Sequence, residues 1–281
     1  MKKTNEQSRM NRTQKVLLSI LIAIIILIIS FIVYEAITVN KTYYIGEKNL
    51  KIPVFVYHDI VDDESQIEYD YMQSTTETFE KQIVGLTKLG YKPISYQDLV
   101  DYKEGKKAIY KRSYLITFDD GYEGIYKNAY RIAKKYNIPM TSFLIDDCVG
   151  TPGYYTWEEA KEMHDSGLIS IYSHGLTHCK YDEVTTEELV KQTNQAYENL
   201  KNNLQDENML KVFTYPLFNG LCTSEELDVM GKEGYIQNLT DNKINRSNTL
   251  NLAGLHRSYP LNNPVWKIIL KIEYRSFKYR D

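Results

Sequence analysis

From Lys51 onward the chain repeats one pattern: a short apolar run, a turn, then a longer stretch whose apolar positions recur every three or four residues. Ile52-Pro-Val-Phe-Val-Tyr57 is the first predicted strand. The helix after it carries Phe79, Ile83, Leu86 and Leu89 on one face and closes at Gly90, the C′ position that favours glycine. Ser95 with Asp98 opens a short helix, because the two side chains can satisfy each other's free backbone N–H groups. Tyr114 to Phe118 reads as a strand, about Tyr122 to Tyr136 as a helix stopped by Pro139, and Met140 to Ile145 as a strand. Thr156 with Glu159, Thr185 with Glu188 and Thr223 with Glu226 open three more helices, which end near Gly167, Leu204 and Gly234. Leu168 to Tyr172 and Val212 to Tyr215 are strands between them. The segment from Pro264 has Trp266, Ile269, Leu270 and Tyr274 at helical spacing. Strands alternating with helices of this length predict an α/β domain with a parallel sheet and helices outside, open or closed into a barrel.

A different pattern precedes this. Val16 to Tyr34 carries no charge and is nearly all Leu, Ile, Val, Ala or Phe. As a helix it spans roughly 28 Å, against about 30 Å for the hydrocarbon core of a bilayer. A secretory signal peptide is the competing reading, but its apolar region is usually about 7–15 residues long and ends in small residues. This run is longer and ends Ile-Val-Tyr-Glu, which favours an uncleaved anchor. Lys2, Lys3, Arg9, Arg12 and Lys15 precede it against Glu6 alone, so the N-terminus should stay cytoplasmic and the rest should lie outside the cell. The expected organisation is a basic tail over 1–15, a transmembrane anchor over 16–38, a linker over 39–50 and one domain over 51–281.

Charge narrows the partners. Residues 1–34 carry five cations and one acid, a balance of +4, so the formal net charge of −3 leaves −7 on the remainder. An acidic ectodomain argues against nucleic acid or an anionic surface as its ligand and fits a neutral substrate. Cys148, Cys179 and Cys222 are too few and scattered for a disulfide framework, and Cys179 beside His178 reads as a small packed residue before a thiolate ligand.

The chemistry lies at strand ends. Leu115-Ile-Thr-Phe-Asp-Asp-Gly121 places two carboxylates after an apolar run, and Ser173-His-Gly-Leu-Thr-His178 places two imidazoles four residues apart. In α/β sheets and barrels, working residues gather at the carboxyl ends of strands, and Tyr215-Pro216 ends a third strand there. Two adjacent carboxylates repel unless a cation neutralises one. One carboxylate and two histidines make a metal site with open positions, leaving the other carboxylate to act on water. That set points to a hydrolase.

Thr117-Phe-Asp-Asp-Gly121 and His174-Gly-Leu-Thr-His178 resemble the two signature motifs of the polysaccharide deacetylases, the NodB-homology or carbohydrate esterase family 4 enzymes. Ile52-Pro-Val-Phe-Val-Tyr-His-Asp-Ile60, Phe79 with Gly90-Tyr91, and Phe213-Thr-Tyr-Pro216 look like the subgroup that deacetylates poly-N-acetylglucosamine in biofilm matrices. The resemblance implies a deformed (β/α) barrel holding one divalent metal ion, zinc foremost, with Co2+, Ni2+ or Fe2+ as substitutes. It implies Asp119 as general base and Asp120, His174 and His178 as ligands, with the backbone N–H of Tyr215 helping to hold the oxyanion. The family often draws its acid from a histidine in a late motif. Here that motif reads Leu252-Ala-Gly-Leu-His-Arg257, leaving His256 as candidate acid or Arg257 as the arginine of the biofilm-type subgroup. The expected substrate is an acetylated amino-sugar polysaccharide, poly-N-acetylglucosamine before peptidoglycan before chitin fragments, with a polysaccharide synthase or export complex as neighbour. An O-acetyl esterase and a non-catalytic carbohydrate-binding protein are the rival readings. His58 is expected to be packed at a strand end and His164 exposed. Tyr122 and Tyr155 are the tyrosines singled out for sugar stacking.

Overall fold

A computed structural model describes residues 11–179, 184–216 and 222–279. It divides into two units, residues 1–41 and 42–281. The first is a single helix, α1 (Arg12–Thr38), opened by a reciprocal Asn11–Gln14 cap and apolar on every side. Most of the predicted basic tail, residues 1–10, lies outside the described residues.

The second unit is a nearly closed barrel of parallel strands. Its strands are β1 (Val54–Tyr57), β2 (Lys92–Pro93), β3 (Ser113–Phe118), β4 (Met140–Leu144), β5 (Ile169–Ser173), β6 (Val212–Thr214), β7 (Ile236–Thr240) and β8 (Leu255–Arg257). They run in the order β8-β7-β6-β5-β4-β3-β1, with β2 also beside β3. Ser258 closes the ring: its carbonyl accepts from Val56 N–H (3.1 Å) and its N–H donates to Val54 O (2.9 Å). Closure removes the exposed edges that an open sheet would leave. Strands β1, β3 and β4 are buried at every position, as expected of strands enclosed on both faces.

The predicted caps form. Ser95–Asp98, Thr156–Glu159 and Thr223–Glu226 are reciprocal boxes at the starts of α3 (Tyr96–Lys103), α5 (Trp157–Asp165) and α7 (Ser224–Lys232). Thr185 caps α6 (Thr186–Leu204) through its side chain alone. In α2 (Thr76–Lys88) Phe79, Ile83 and Leu86 are buried, whereas Leu89 falls just past the last turn and is exposed. The predicted helix from Tyr122 starts as a widened π turn, Ile125–Ala129, before α4 (Tyr130–Tyr136). The final helix, α8 (Val265–Lys278), packs against α2, where a Cβ on Gly85 would meet Val265 Cγ2 at 2.5 Å. Its buried positions are Ile268, Ile272 and Ser276, not Trp266, Leu270 and Tyr274, which are exposed.

Candidate active site

Strand β3 ends at Phe118 and delivers Asp119 and Asp120 to the mouth of the barrel. The turn is unusual: Asp120 has φ 72° and Gly121 φ 86°. A side chain at Gly121 would be strained by that φ and would crowd Leu144 Cβ at 3.1 Å. A non-glycine residue held in the left-handed region is a mark of a site that the surrounding fold over-determines. His174 follows β5 directly, and His178 returns on a tight loop with φ 54°.

Asp120, His174 and His178 each turn one ligand atom to a common point, the three lying within 4.8 Å of one another. The imidazole Nε2 atoms are 3.2 Å (His174) and 3.5 Å (His178) from Asp120 Oδ1. His174 Nδ1 lies 2.9 Å from the carbonyl oxygen of Thr214, an acceptor only, so the ring proton belongs on Nδ1 and Nε2 presents a lone pair. Asp120 Oδ1 is buried without a hydrogen-bond partner. Lone pairs converging on a buried, unsatisfied carboxylate oxygen repel one another unless a cation lies among them. The donor set therefore fits a divalent metal with open positions. Burial alone would raise the Asp120 carboxyl; with no cation in place, protons on His174, His58 and His178 would offset it and bring the group down to about 2. It is a carboxylate at any working pH.

Asp119 is bound differently. Arg257, on β8 and wholly buried, grips it in a fork: Nη1 to Oδ1 and Nη2 to Oδ2, both 2.7 Å. Arg257 also donates to Thr240 Oγ1 at 2.9 Å and lies 5.4 Å from the Phe143 ring. Burial pushes the Asp119 carboxyl up, yet the Arg257 charge, aided by His174, brings it below its ordinary value. The fork fixes the orientation of the carboxylate and keeps it ionised.

Asp119, Asp120, His174 and His178 line one cleft of about 840 Å³ with His58 and Tyr259, and Arg257 lies buried behind Asp119. His58 was expected to be packed and hydrogen-bonded; it stacks on Tyr259 (5.9 Å, 7°), and its buried Nδ1 is without a partner. His256 is not brought to this cleft. On β8 neighbouring side chains alternate, so Arg257 points in while His256 lines a second cavity, its Nδ1 2.8 Å from Asp241 Oδ2. The Tyr215 N–H is directed along the ladder to Asn238 O at 3.4 Å, and Tyr215 Oη donates to Gln237 at 2.7 Å. In this arrangement that N–H does not face the cleft. Tyr155 is buried, its hydroxyl 2.9 Å from Ser142 Oγ, and so is packing rather than a sugar platform. Tyr122 stacks on Tyr154 (5.0 Å) beside Asp120, whose charge raises its pKa further after burial. Cys179 is half-buried, its Sγ 3.4 Å from Gln192 Oε1. His164 is 3.3 Å from Asp206 rather than free in solvent.

The barrel of parallel strands thus gathers at one edge an Asp-His-His set that could hold a metal ion and a second aspartate. Residues 106–235, somewhat less than half of the chain, match the family model described as polysaccharide deacetylase. Among known relatives, the poly-beta-1,6-N-acetyl-D-glucosamine N-deacetylase of Staphylococcus aureus is 33% identical over 171 residues, 56% of this chain and 57% of that enzyme. The match thus spans little more than half the length of that relative. Two solved structures share the fold. The Streptococcus pyogenes deacetylase PplD in complex with acetate has TM-score 0.71 at 22% identity, over 80% of this chain and 99% of that one. IcaB from Ammonifex degensii has TM-score 0.67 at 22% identity, over 79% and 97%.

Proposed function

We propose that this protein is a membrane-anchored, extracellular N-deacetylase. It removes acetyl groups from N-acetylglucosamine residues of a surface polysaccharide, of the poly-N-acetylglucosamine type before peptidoglycan. The observation that carries the reading is the meeting, at one cleft, of the Asp120-His174-His178 set with an Asp119 carboxylate clamped by Arg257. The S. aureus relatives, named for deacetylation of the β-1,6-linked polymer, support that choice of substrate. The apolar length of α1 supports the anchor.

Asp120, His174 and His178 would hold a divalent cation, zinc foremost. Such an ion polarises an amide carbonyl and acidifies water from a pKa of about 15.7 towards 7. Asp119 accepts the proton of the attacking water, and Arg257 keeps its carboxylate aimed and ionised for that step. Water oxygen bonds to the acetyl carbon, the C–N bond breaks, and the leaving nitrogen takes up a proton. With His256 turned to the second cavity, that proton is assigned to His58, which lines the cleft.

The test is acetate release by the full chain in detergent, with poly-N-acetylglucosamine oligomers and peptidoglycan offered in parallel, before and after chelation and metal add-back. Metal-restored release from one polymer, lost in Asp119→Asn with metal still bound, is expected. Release only from O-acetylated polymers would overturn the N-deacetylase reading, and an indifferent Asp119→Asn would overturn the assigned base.

A further inference from the structure

Helix α8 carries three stripes. One is buried in the barrel unit through Ile268 and Ile272. The second is apolar and exposed: Trp266 (63%), Leu270 (59%), Tyr274 (62%) and Phe277 (69%), at spacings of three and four that keep them on one side. The third is cationic: Lys267 and Lys278 are exposed beside the aromatic stripe, whereas Lys271 and Arg275, on the same side, are half-buried and line the cleft, Arg275 donating to Asn242 Oδ1 at 2.8 Å. The one acid of the helix, Glu273, is already paired with Lys51. A contiguous exposed stripe of large apolar side chains marks an interaction surface.

We propose that α8 lies in the interface of an anionic bilayer, with the aromatic stripe at the headgroup level and Lys267 and Lys278 against lipid phosphates. An aromatic-aliphatic face flanked by Lys and Arg is the pattern of interfacial helices. The acidic balance of the domain as a whole argues against an anionic surface, but α8 is a local exception, with exposed cations and its one acid already paired. Tyr274 also lines the catalytic cleft. The docked face therefore adjoins the cleft mouth, which presents the cleft to polymer at the membrane surface. This inference rests on the reading of α1 as an anchor.

The chain has two tryptophans, Trp157 and Trp266, so the full chain in a Trp157→Phe background reports from Trp266 alone. It is reconstituted into phosphatidylcholine vesicles with and without phosphatidylglycerol, and quenching by brominated lipid is read after flotation. Strong quenching in the anionic vesicles is expected. It should be abolished by Leu270→Glu with Phe277→Glu, while acetate release from soluble oligomers is retained. Lys267→Gln and Lys278→Gln should each lower the docked-to-free ratio by about fivefold. Failure to float overturns the anchor and the docking together. Flotation without quenching overturns the docking alone. Equal quenching without anionic lipid overturns the role of the cations, and Trp266 shielding by oligosaccharide in place of lipid assigns the stripe to substrate.

Discussion

Replacing Arg257 with Met tests the centre of the site. Its guanidinium is wholly buried and makes two 2.7 Å bonds to Asp119, with Thr240 at 2.9 Å and Thr117 at 3.3 Å. Met fills much of the side-chain volume and removes the charge, so Asp119 is left buried and unpaired. Breaking one side of a buried pair costs about 3–5 kcal/mol, mostly the penalty of the stranded charge. Urea unfolding of Arg257→Met should show that loss. Asp119→Leu strands the guanidinium and should lose a similar amount. The double variant carries neither charge, and apolar replacement of a whole buried pair is often near neutral, so it should recover to within roughly 1–2 kcal/mol of the wild type. The coupling in the cycle is then several kcal/mol and opposes simple addition. Turnover behaves differently: both singles and the double should fall by about 10²–10⁴ if Asp119, held by Arg257, is the base proposed above. Additive stability losses, or an Arg257→Met protein within about 0.5 kcal/mol of wild type, would refute the claim that the pair is coupled in this way.

Three further outcomes follow from other parts of the barrel. Asp146, after β4, is pushed up to about 7 by burial, against the hydrogen bond from Asn199, with Asp147 adding to the rise. Its folded pKa thus exceeds its unfolded one, so the folded state holds the proton longer and stability falls as pH rises from about 4 to 7. Asp146→Asn should flatten that slope and add roughly 1–2 kcal/mol at pH 8, read by denaturant unfolding across pH; an unchanged slope counts against it. Gly121→Ala, strained at φ 86° and pressed on Leu144, should cost about 1–3 kcal/mol and weaken metal retention, measured by unfolding and by metal analysis after dialysis. His58→Ala should cut turnover by about 10² or more with metal content kept, while His256→Ala should stay within a fewfold of wild type; the reverse order would return the acid to His256.

The parts of this site that a reader can take from the chain are those encoded locally. Asp119-Asp120-Gly121 and His174 to His178 each sit at the end of an apolar run, and the carboxyl ends of parallel strands share one edge, so their meeting follows from topology alone. The helix caps are local too, and Ser95, Thr156 and Thr223 begin helices as their spacing to Asp98, Glu159 and Glu226 requires. What the chain does not disclose locally is orientation. His256 and Arg257 are neighbours, and only the pairing of His256 with Leu239 across β7 and β8 decides which one looks inward. A one-residue slip of that register would exchange them. The Arg257–Asp119 contact spans 138 residues of sequence, so neither partner announces the other. Helix α8 fails locally for a different reason: it is apolar on two sides, and spacing cannot tell the face that packs from the face that does not.

That ambiguity in α8 bears on function. A helix needs one apolar stripe to pack on a barrel, and Ile268 with Ile272 supplies it. Selection for solubility alone would leave the opposite side polar, as it is on α6, where buried Leu189, Ala196, Leu200 and Leu204 stand opposite charged and amide side chains. The second stripe on α8, with Lys267 and Lys278 exposed beside it, is therefore a surface with its own requirement. Its shared residue with the cleft, Tyr274, ties that requirement to where the enzyme works rather than to how it folds.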